Sequence, residues 1–123
     1  MPKSNLKITY AIFGEPKADS AILKITLQNL GAEPLPLIGI HLKTKKTDVG
    51  ISSAITRFSG ELGPAFPFVL DPSEQTALSY LRKTVVLLLR GNGISMKHPG
   101  KIEIVFTDDK GGQHKTRLDT AGL

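Results

Sequence analysis

Cysteine and tryptophan are absent from the 123 residues, and long hydrophobic runs are scarce. Without cysteine the chain has no disulfide framework, no thiolate ligands for zinc or an iron–sulfur cluster, and no thiol nucleophile. The longest apolar run, Val85 to Leu89, has five residues, whereas a membrane-spanning helix needs about twenty. Residues 1–5 contain no hydrophobic core of a signal peptide, so we expect a cytoplasmic protein that does not insert into membranes.

Charge of one sign is not concentrated at either end of the sequence. The 16 lysines and arginines outnumber the 11 acidic residues, for a net charge of +5, and both halves of the chain share this excess. There is no basic tail of the kind that binds nucleic acid. Hydrophobic residues make up 40% of the chain, which is enough to form a core at this length, and we predict a single domain over residues 1–123.

What is present is an alternation of apolar and polar residues with period two, which is typical of strands with one buried face. In the clearest case Leu23, Ile25 and Leu27 alternate with polar neighbours. The same pattern predicts strands at residues 6–13, 21–28, 37–43, 101–107 and 113–118. The last two are joined by a turn at residues 108–112, whose Asp and Gly residues accept the positive φ angles of tight hairpins.

The stretch from residue 49 to residue 70 gives a weaker signal. Its apolar residues indicate a fourth strand in the first part and a return to the core in the second. They are Val49, Ile51, Ile55 and Phe58, and then Phe66, Phe68 and Leu70. Two prolines make residues 60–67 typical of an irregular loop or a sheet edge, because proline cannot donate a ladder hydrogen bond.

Residues 71–91 support two interpretations. Asp71 to Glu74 have the composition of a helix start, and leucines and valines follow at helical spacing, which favours one helix over 72–90. Several β-branched residues disfavour that helix, because their side chains lose rotamer freedom in it. They are Thr76, Thr84, Val85 and Val86. The strand-rich context favours a strand at 76–81 followed by a short helix near 84–90, and the single helix stays open as the alternative.

Six to eight short strands with at most one helix are typical of an all-β antiparallel β-sandwich. Three segments resemble small immunoglobulin-like β-sandwich domains of the kind found in prokaryotes and phages. They are Ile25–Gly31 running into Pro36–Ile40, the corner Phe68–Glu74, and the closing hairpin Ile102–Gly111. The resemblance covers residues 20–118, and it lacks the paired cysteines and core tryptophan of antibody domains. It implies the fold and a tendency to act as an adhesive or scaffolding module, and it implies no catalytic residue.

No residue pattern predicts catalysis, a metal or a cofactor. Gly91-Asn92-Gly93 follows an apolar run as in a dinucleotide site, but Met96 occupies the third glycine position and Pro99 breaks the helix that must follow. The Asp108–Asp109 pair is more typical of a turn than of a calcium loop. The histidines form no short metal-binding pair; they are His41, His98 and His114. No serine nucleophile elbow occurs either, and we expect a protein that is not an enzyme.

A run of cations without an acid is the main charge feature. It consists of Arg82, Lys83, Arg90, Lys97 and Lys101, and a second cluster contains His41, Lys43, Lys45 and Lys46. Close together on the folded surface, such residues would form a cationic patch able to contact phosphates. Nucleic-acid binding by strands also uses exposed aromatic residues for base stacking, and most of the five Phe and two Tyr occupy core positions. We therefore do not expect tight nucleic-acid binding.

Residues 35–42 and 84–90 are apolar at odd and at even positions, so each segment would be apolar on both faces of a strand. The candidate interface residues that we select from these two segments are Leu35, Leu37 and Val86. A strand that is apolar on both faces needs a second cover, which comes from the same chain or from another one. We therefore predict a non-catalytic protein–protein interaction or assembly module that binds another protein or itself, with self-association favoured. A carbohydrate- or nucleic-acid-binding domain is the alternative.

Overall fold

The computed structural model describes residues 5–15, 18, 20–45, 47–50, 66–94 and 101–119. Within them the chain forms eight strands and one helix. The strands are β1 (Leu6–Phe13), β2 (Ile22–Asn29), β3 (Leu35–Lys43), β4 (Asp48–Gly50), β5 (Phe68–Leu70), β6 (Gln75–Leu81), β7 (Ile102–Asp108) and β8 (Gln113–Leu118), and the helix, α1, is Arg82–Gly91. The prediction of a mostly β protein is confirmed.

Two antiparallel sheets share one hydrophobic core. Sheet A has the strand order β1-β2-β6, and sheet B has the order β4-β3-β7-β8, with β5 also paired to β3. Side chains from both sheets and from α1 join a single buried cluster, which includes Leu27 and Leu78 from sheet A, Ile104 from sheet B and Leu89 from α1. The apolar face of each sheet is therefore covered by the other sheet and by the helix.

The period-two alternation identified the buried faces of the predicted strands. Leu27 and Ile104 are fully buried and Lys24 is exposed, as the register predicted. Val105 is an exception, because the alternation places it on the outer face and yet it is fully buried. It lies in the central strand β7, directly opposite the longer side chains of His41 and Lys115.

The strand-plus-helix interpretation of residues 71–91 is confirmed, and the single helix over 72–90 is wrong. Residues 71–74 form a turn, in which Ser73 has a φ of 67° and the Asp71 amide donates to Oε1 of Glu74 at 2.8 Å. The residues of β6 then alternate, with Leu78 and Tyr80 buried on the core side. The helix begins two residues earlier than predicted, directly after β6.

The stretch from 49 to 70 is described only at its two ends. Val49 lies in the short strand β4, and Ile51, Ile55 and Phe58 lie outside the described residues. Phe66 and Phe68 pack against the core with ring centroids 5.1 Å apart, and Leu70 is buried, so the predicted return to the core is confirmed.

The strands run between two ends that differ in what joins them. At the helix end, Ile22 pairs with Leu81, α1 begins at the next residue, and β7 starts after Lys101. At the opposite end, which we call the turn end, residues 30–34 join β2 to β3, and residues 109–112 join β7 to β8. No helix in the described part of the chain is long and apolar enough to cross a membrane.

Candidate functional site

Two of the three predicted interface residues lie in the core. Leu37 is fully buried and Val86 is 5% exposed, so the prediction that they form an exposed interface is wrong. Leu35 is half-buried and packs against the core. The sequence showed that both alternations are apolar, but only the packing of the second sheet and the helix decides which alternation is covered.

The neighbours in the opposite alternation are the exposed residues. Ile38, next to Leu37, is 50% exposed, and Leu87, next to Val86, is 56% exposed. Ile38 lies where the pairing of β3 with β7 shifts register, so an extra residue of β3 projects outward there. Other large apolar side chains with high exposure are Phe13, Leu30 and Val69. The two-sided apolar segments therefore contribute one residue each to the surface.

The exposed side of α1 combines Leu87 with two cations. Lys83 and Arg90 are exposed and lie four residues before and three residues after Leu87, which places the three on one side of the helix. We call these three residues the helix face. Val85, Val86 and Leu89 are buried, and the helix contains no acidic residue. The helix face is thus an exposed leucine between two positive charges.

The structure brings most of the predicted cationic residues to one end of the molecule. Arg82, Lys83 and Arg90 belong to α1, and the exposed Lys101 directly precedes β7, so all four are at the helix end. Lys97 lies outside the described residues. The helix end also holds an apolar cross-strand row on the outer face of sheet A, formed by Phe13, Ile22 and Leu81.

The turn end contains a cleft of about 460 Å³, which we call the end cleft. One side is formed by the loop between β2 and β3, including Glu33, and the other by the turn between β7 and β8, including Asp109. The amide of Asp109 donates to the Pro36 carbonyl at 3.2 Å and holds the two sides together. The other residues of the cleft are Asn5, Asn29, Ala32, Pro34, Leu35, Asp108, Lys110 and His114.

Asp108 organises the turn side of the cleft. Its Oδ1 accepts hydrogen bonds from the amides of Lys110 at 2.9 Å and Gly112 at 2.7 Å, and its Oδ2 lies 3.0 Å from Nε2 of His114. Burial alone would raise the pKa of Asp108, but these hydrogen bonds outweigh it and hold the pKa below the usual 3.8. A Cβ on Gly112 would overlap the carboxylate, so the network requires glycine there.

Asn29 organises the loop side. It is 1% exposed, and its Nδ2 donates to the carbonyls of Glu33 and Leu70, each at 2.8 Å. Its Oδ1 accepts from the Gly31 amide at 2.8 Å, which forms an Asx turn. The amide side chain therefore fastens the β2–β3 loop to the end of β5. Both sides of the end cleft are held by polar groups that are hydrogen-bonded inside the protein.

Charge that is evenly distributed along the sequence is unevenly distributed in the fold. In the described part of the chain, the exposed or half-buried carboxylates at the turn end are those of Glu33, Asp71, Glu74, Asp108 and Asp109. Among the described residues that line the end cleft, Lys110 is the one lysine or arginine. The antiparallel strands bring loops from distant parts of the sequence to the same end, so the acidic turn end arises without any acidic block in the sequence. The cations of α1, in contrast, belong to the acid-free run at residues 82–101 that the sequence already shows.

The outer face of sheet B carries charges of both signs. Cross-strand pairing sets Asp48, Lys43, Glu103 and Arg117 side by side in one row, so that each charge faces opposite charges. His41 contacts Oδ1 of Asp48 through Nδ1 and lies 3.2 Å from Oγ1 of Thr107 through Nε2. This order resembles a catalytic relay, but the amides of Asp108 and Asp109, which follow Thr107, donate to the carbonyls of Gly112 and Pro36 and are not available to an oxyanion.

The candidate sites for metals and nucleotides take other roles. Among the described residues, no group of three or more histidine, aspartate or glutamate side chains is placed to hold a metal ion. Gly93 has a φ of 82°, and its amide donates to the Arg90 carbonyl at 3.0 Å, so the Gly-x-Gly segment closes the end of α1. His114 was predicted only as one of three scattered histidines; its contact with Asp108 across the hairpin was not foreseen.

Comparison with known proteins adds no functional assignment, because no family model and no curated protein matches the chain.

Proposed function

We propose that the chain is a non-catalytic protein-binding module with an immunoglobulin-like arrangement of strands. The strand orders β1-β2-β6 and β3-β7-β8 support this arrangement, because they follow the A-B-E and C-F-G orders of that fold. The short strand β4 extends the second sheet beside β3. In this arrangement α1 is the connection that crosses from the edge of one sheet to the central strand of the other.

The observation that carries the proposal is the helix face. Leu87 is 56% exposed on a short helix whose other side is fixed in the core, so the leucine is held rigidly at the surface. An apolar side chain that is held rigidly at the surface loses little conformational entropy when it binds, which favours Leu87 as the centre of an interaction site. Lys83 and Arg90 add a requirement for negative charge on the partner.

Carbohydrate or nucleic-acid binding has less support. Among the described residues, neither the end cleft nor the helix face contains the Phe, Tyr or Trp ring on which a sugar or base usually stacks; the imidazole of His114 in the cleft is engaged with Asp108. A protein surface with an apolar centre and carboxylates around it satisfies all three residues of the helix face.

A photo-crosslinking amino acid at position 87 tests the proposal in the cells that make the protein. We expect covalent capture of a polypeptide, either this chain or another one, that is reproduced with the purified components. The matched control is the same amino acid at the exposed position Thr9 on the outer face of sheet A, which should capture none. Capture of nucleic acid alone at position 87, or equal capture at both positions, would contradict the proposal.

A further inference from the structure

We propose that the end cleft of one copy of this chain receives the helix face of a second copy, so that the chain assembles head to tail; this rests on the proposed function of the helix face.

The two surfaces lie at opposite ends of the strands. Leu81 pairs with Ile22 at the helix end and α1 follows, whereas Asn29, at the other end of β2, is part of the end cleft. Eight residues of β2 separate the two ends, which is about 25 Å at the usual rise of a strand. The helix face therefore does not reach the cleft of its own chain, and any contact between them joins two chains.

The charges of the two surfaces are complementary. Lys83 and Arg90 lie seven residues apart, which is about 10 Å along a helix. Glu33 and Asp109 are exposed and come from the two opposite sides of the end cleft. The side chains of both pairs are free to reorient at the surface, so each cation can approach one carboxylate of the second copy. Charge pairs of this kind orient two surfaces as they meet.

The apolar parts are complementary as well. Leu87 projects from the middle of the helix face, and Pro34, Leu35 and Pro36 form an apolar wall in the end cleft. The cleft volume of about 460 Å³ is within the range of sites that enclose small ligands. It has room for the Leu87 side chain together with the aliphatic parts of Lys83 and Arg90. Leu35 was predicted from the sequence as an interface residue, and in this assembly it would contact the helix of the second copy directly.

Repulsion between like charges disfavours a symmetric contact between two identical surfaces. Two helix faces placed against each other would bring lysine and arginine together with no carboxylate from α1, and two end clefts would bring their carboxylates together. A two-fold dimer through either surface is therefore disfavoured. A helix face in an end cleft is a heterologous contact, which leaves one free surface of each kind on a pair of copies and extends into longer chains, or into a ring where the rotation between copies closes.

Sedimentation equilibrium of the purified full chain tests this inference at about 10–500 μM protein and at about 0.05 and 0.5 M salt. We expect the mean mass to rise above 13.3 kDa with concentration, without a plateau at the dimer, and association to weaken at least about tenfold at the higher salt. Leu87→Asp, K83E/R90E and E33K/D109K should each remain monomeric. K7E/K24E, with the same change in net charge as K83E/R90E but at two exposed lysines of sheet A, should associate like the unaltered chain.

Two gain-of-association variants complete the test. The quadruple variant K83E/R90E/E33K/D109K exchanges the charges of both surfaces and should regain association that each double variant loses. Lys110→Glu removes the cation of the cleft and should strengthen association. An unaltered chain that stays monomeric at every concentration, a plateau at the dimer that E33K/D109K leaves unchanged, or no recovery in the quadruple variant would overturn the inference. A monomeric chain whose position 87 still captures a different protein would overturn only the head-to-tail assembly and leave the proposed function standing.

Discussion

The helix end and the turn end of this molecule differ in how their polar groups are held and in the sign of the charge that they present. At the turn end, Asn29 and Asp108 are hydrogen-bonded to backbone groups of the loops around them. Exposed apolar side chains occur at both ends: Phe13 and Leu87 at the helix end, and Leu30 and Val69 at the turn end, are each more than half exposed. The difference therefore lies in the polar groups, since the loops of the turn end are fastened by buried or half-buried side chains. We infer that the turn end is a fixed shape that can receive the exposed side of α1 from another chain.

The comparison also shows how a fold creates charge asymmetry. The two halves of the sequence have similar charge, but antiparallel pairing gathers Glu33, Glu74 and Asp109 at one end and the cations of α1 at the other. Electrostatic complementarity between two copies is therefore a property of the topology. The acidic half would not be found by scanning the sequence for acidic blocks, whereas the cations of α1 lie in one acid-free run of the sequence.

The largest expected effect separates the core from the surface at the helix end. Val86→Asp should destabilise the protein by about 3–5 kcal/mol or unfold it, because it places an unpaired carboxylate in the core. Leu87→Asp, one residue later and half exposed, should cost less than about 1 kcal/mol. Urea denaturation followed by circular dichroism measures both. Similar losses from the two variants would mean that Leu87 belongs to the core and that the helix face does not exist as described.

A pair of asparagines compares the two ends directly. Asn29→Ala should cost about 2–4 kcal/mol, because one buried and two partly buried backbone groups at the turn end lose their hydrogen-bond partner. Asn92→Ala, which removes one exposed hydrogen bond from Nδ2 to the Leu88 carbonyl, should cost less than about 1 kcal/mol. Thermal unfolding with calorimetry distinguishes these values. An Asn92 variant as unstable as the Asn29 variant would contradict the difference between the ends.

The Asp108 network predicts a pH dependence at the turn end. The pKa of Asp108 is lowered in the folded protein, so its contribution to stability is present above its ordinary pKa of 3.8 and is lost as the pH falls through the lower, folded value. Asp108→Asn keeps a carbonyl oxygen for the turn amides and removes the charge beside His114. It should be less stable by about 1–2 kcal/mol at pH 6, and this difference should shrink below about pH 4.

Urea midpoints of Asp108→Asn and the unaltered chain, measured from pH 3 to pH 7, check this prediction, with Asp109→Asn as the matched control. Asp109 is exposed and its carboxylate should give no comparable difference. A constant difference for Asp108→Asn across the whole range would show that the charge does not act through the hydrogen bonds of the turn.

Much of the secondary structure was predictable from the sequence, because alternation depends only on neighbouring residues. The strands around Leu27 and Ile104 and the turn at residues 108–112 are local patterns, and the structure confirms them. The covered side of the two-sided segments was not predictable. Leu37 and Ile38 are equally apolar, and only the position of the second sheet decides that Leu37 is buried and Ile38 exposed.

The candidate sites show the same limit. The helix residues Lys83 and Arg90 were recognisable as cations, but their arrangement around Leu87 depends on the helix starting directly after β6. The end cleft was not predictable at all, since Glu33 and Asp109 are distant in sequence and meet only because β3 and β7 pair. Sites made by two loops need the topology before their residues can be grouped.

A mixing experiment tests the complementarity of the two ends most directly. Leu87→Asp has a defective helix face and an intact end cleft, and E33K/D109K has the reverse. Each should be monomeric alone, and an equimolar mixture should form a complex of one copy each, with twice the 13.3 kDa mass of the chain and no larger species. Two folded variants that remain monomeric after mixing, while the unaltered chain self-associates, would contradict the account, because they would show that some other pair of surfaces holds the copies together.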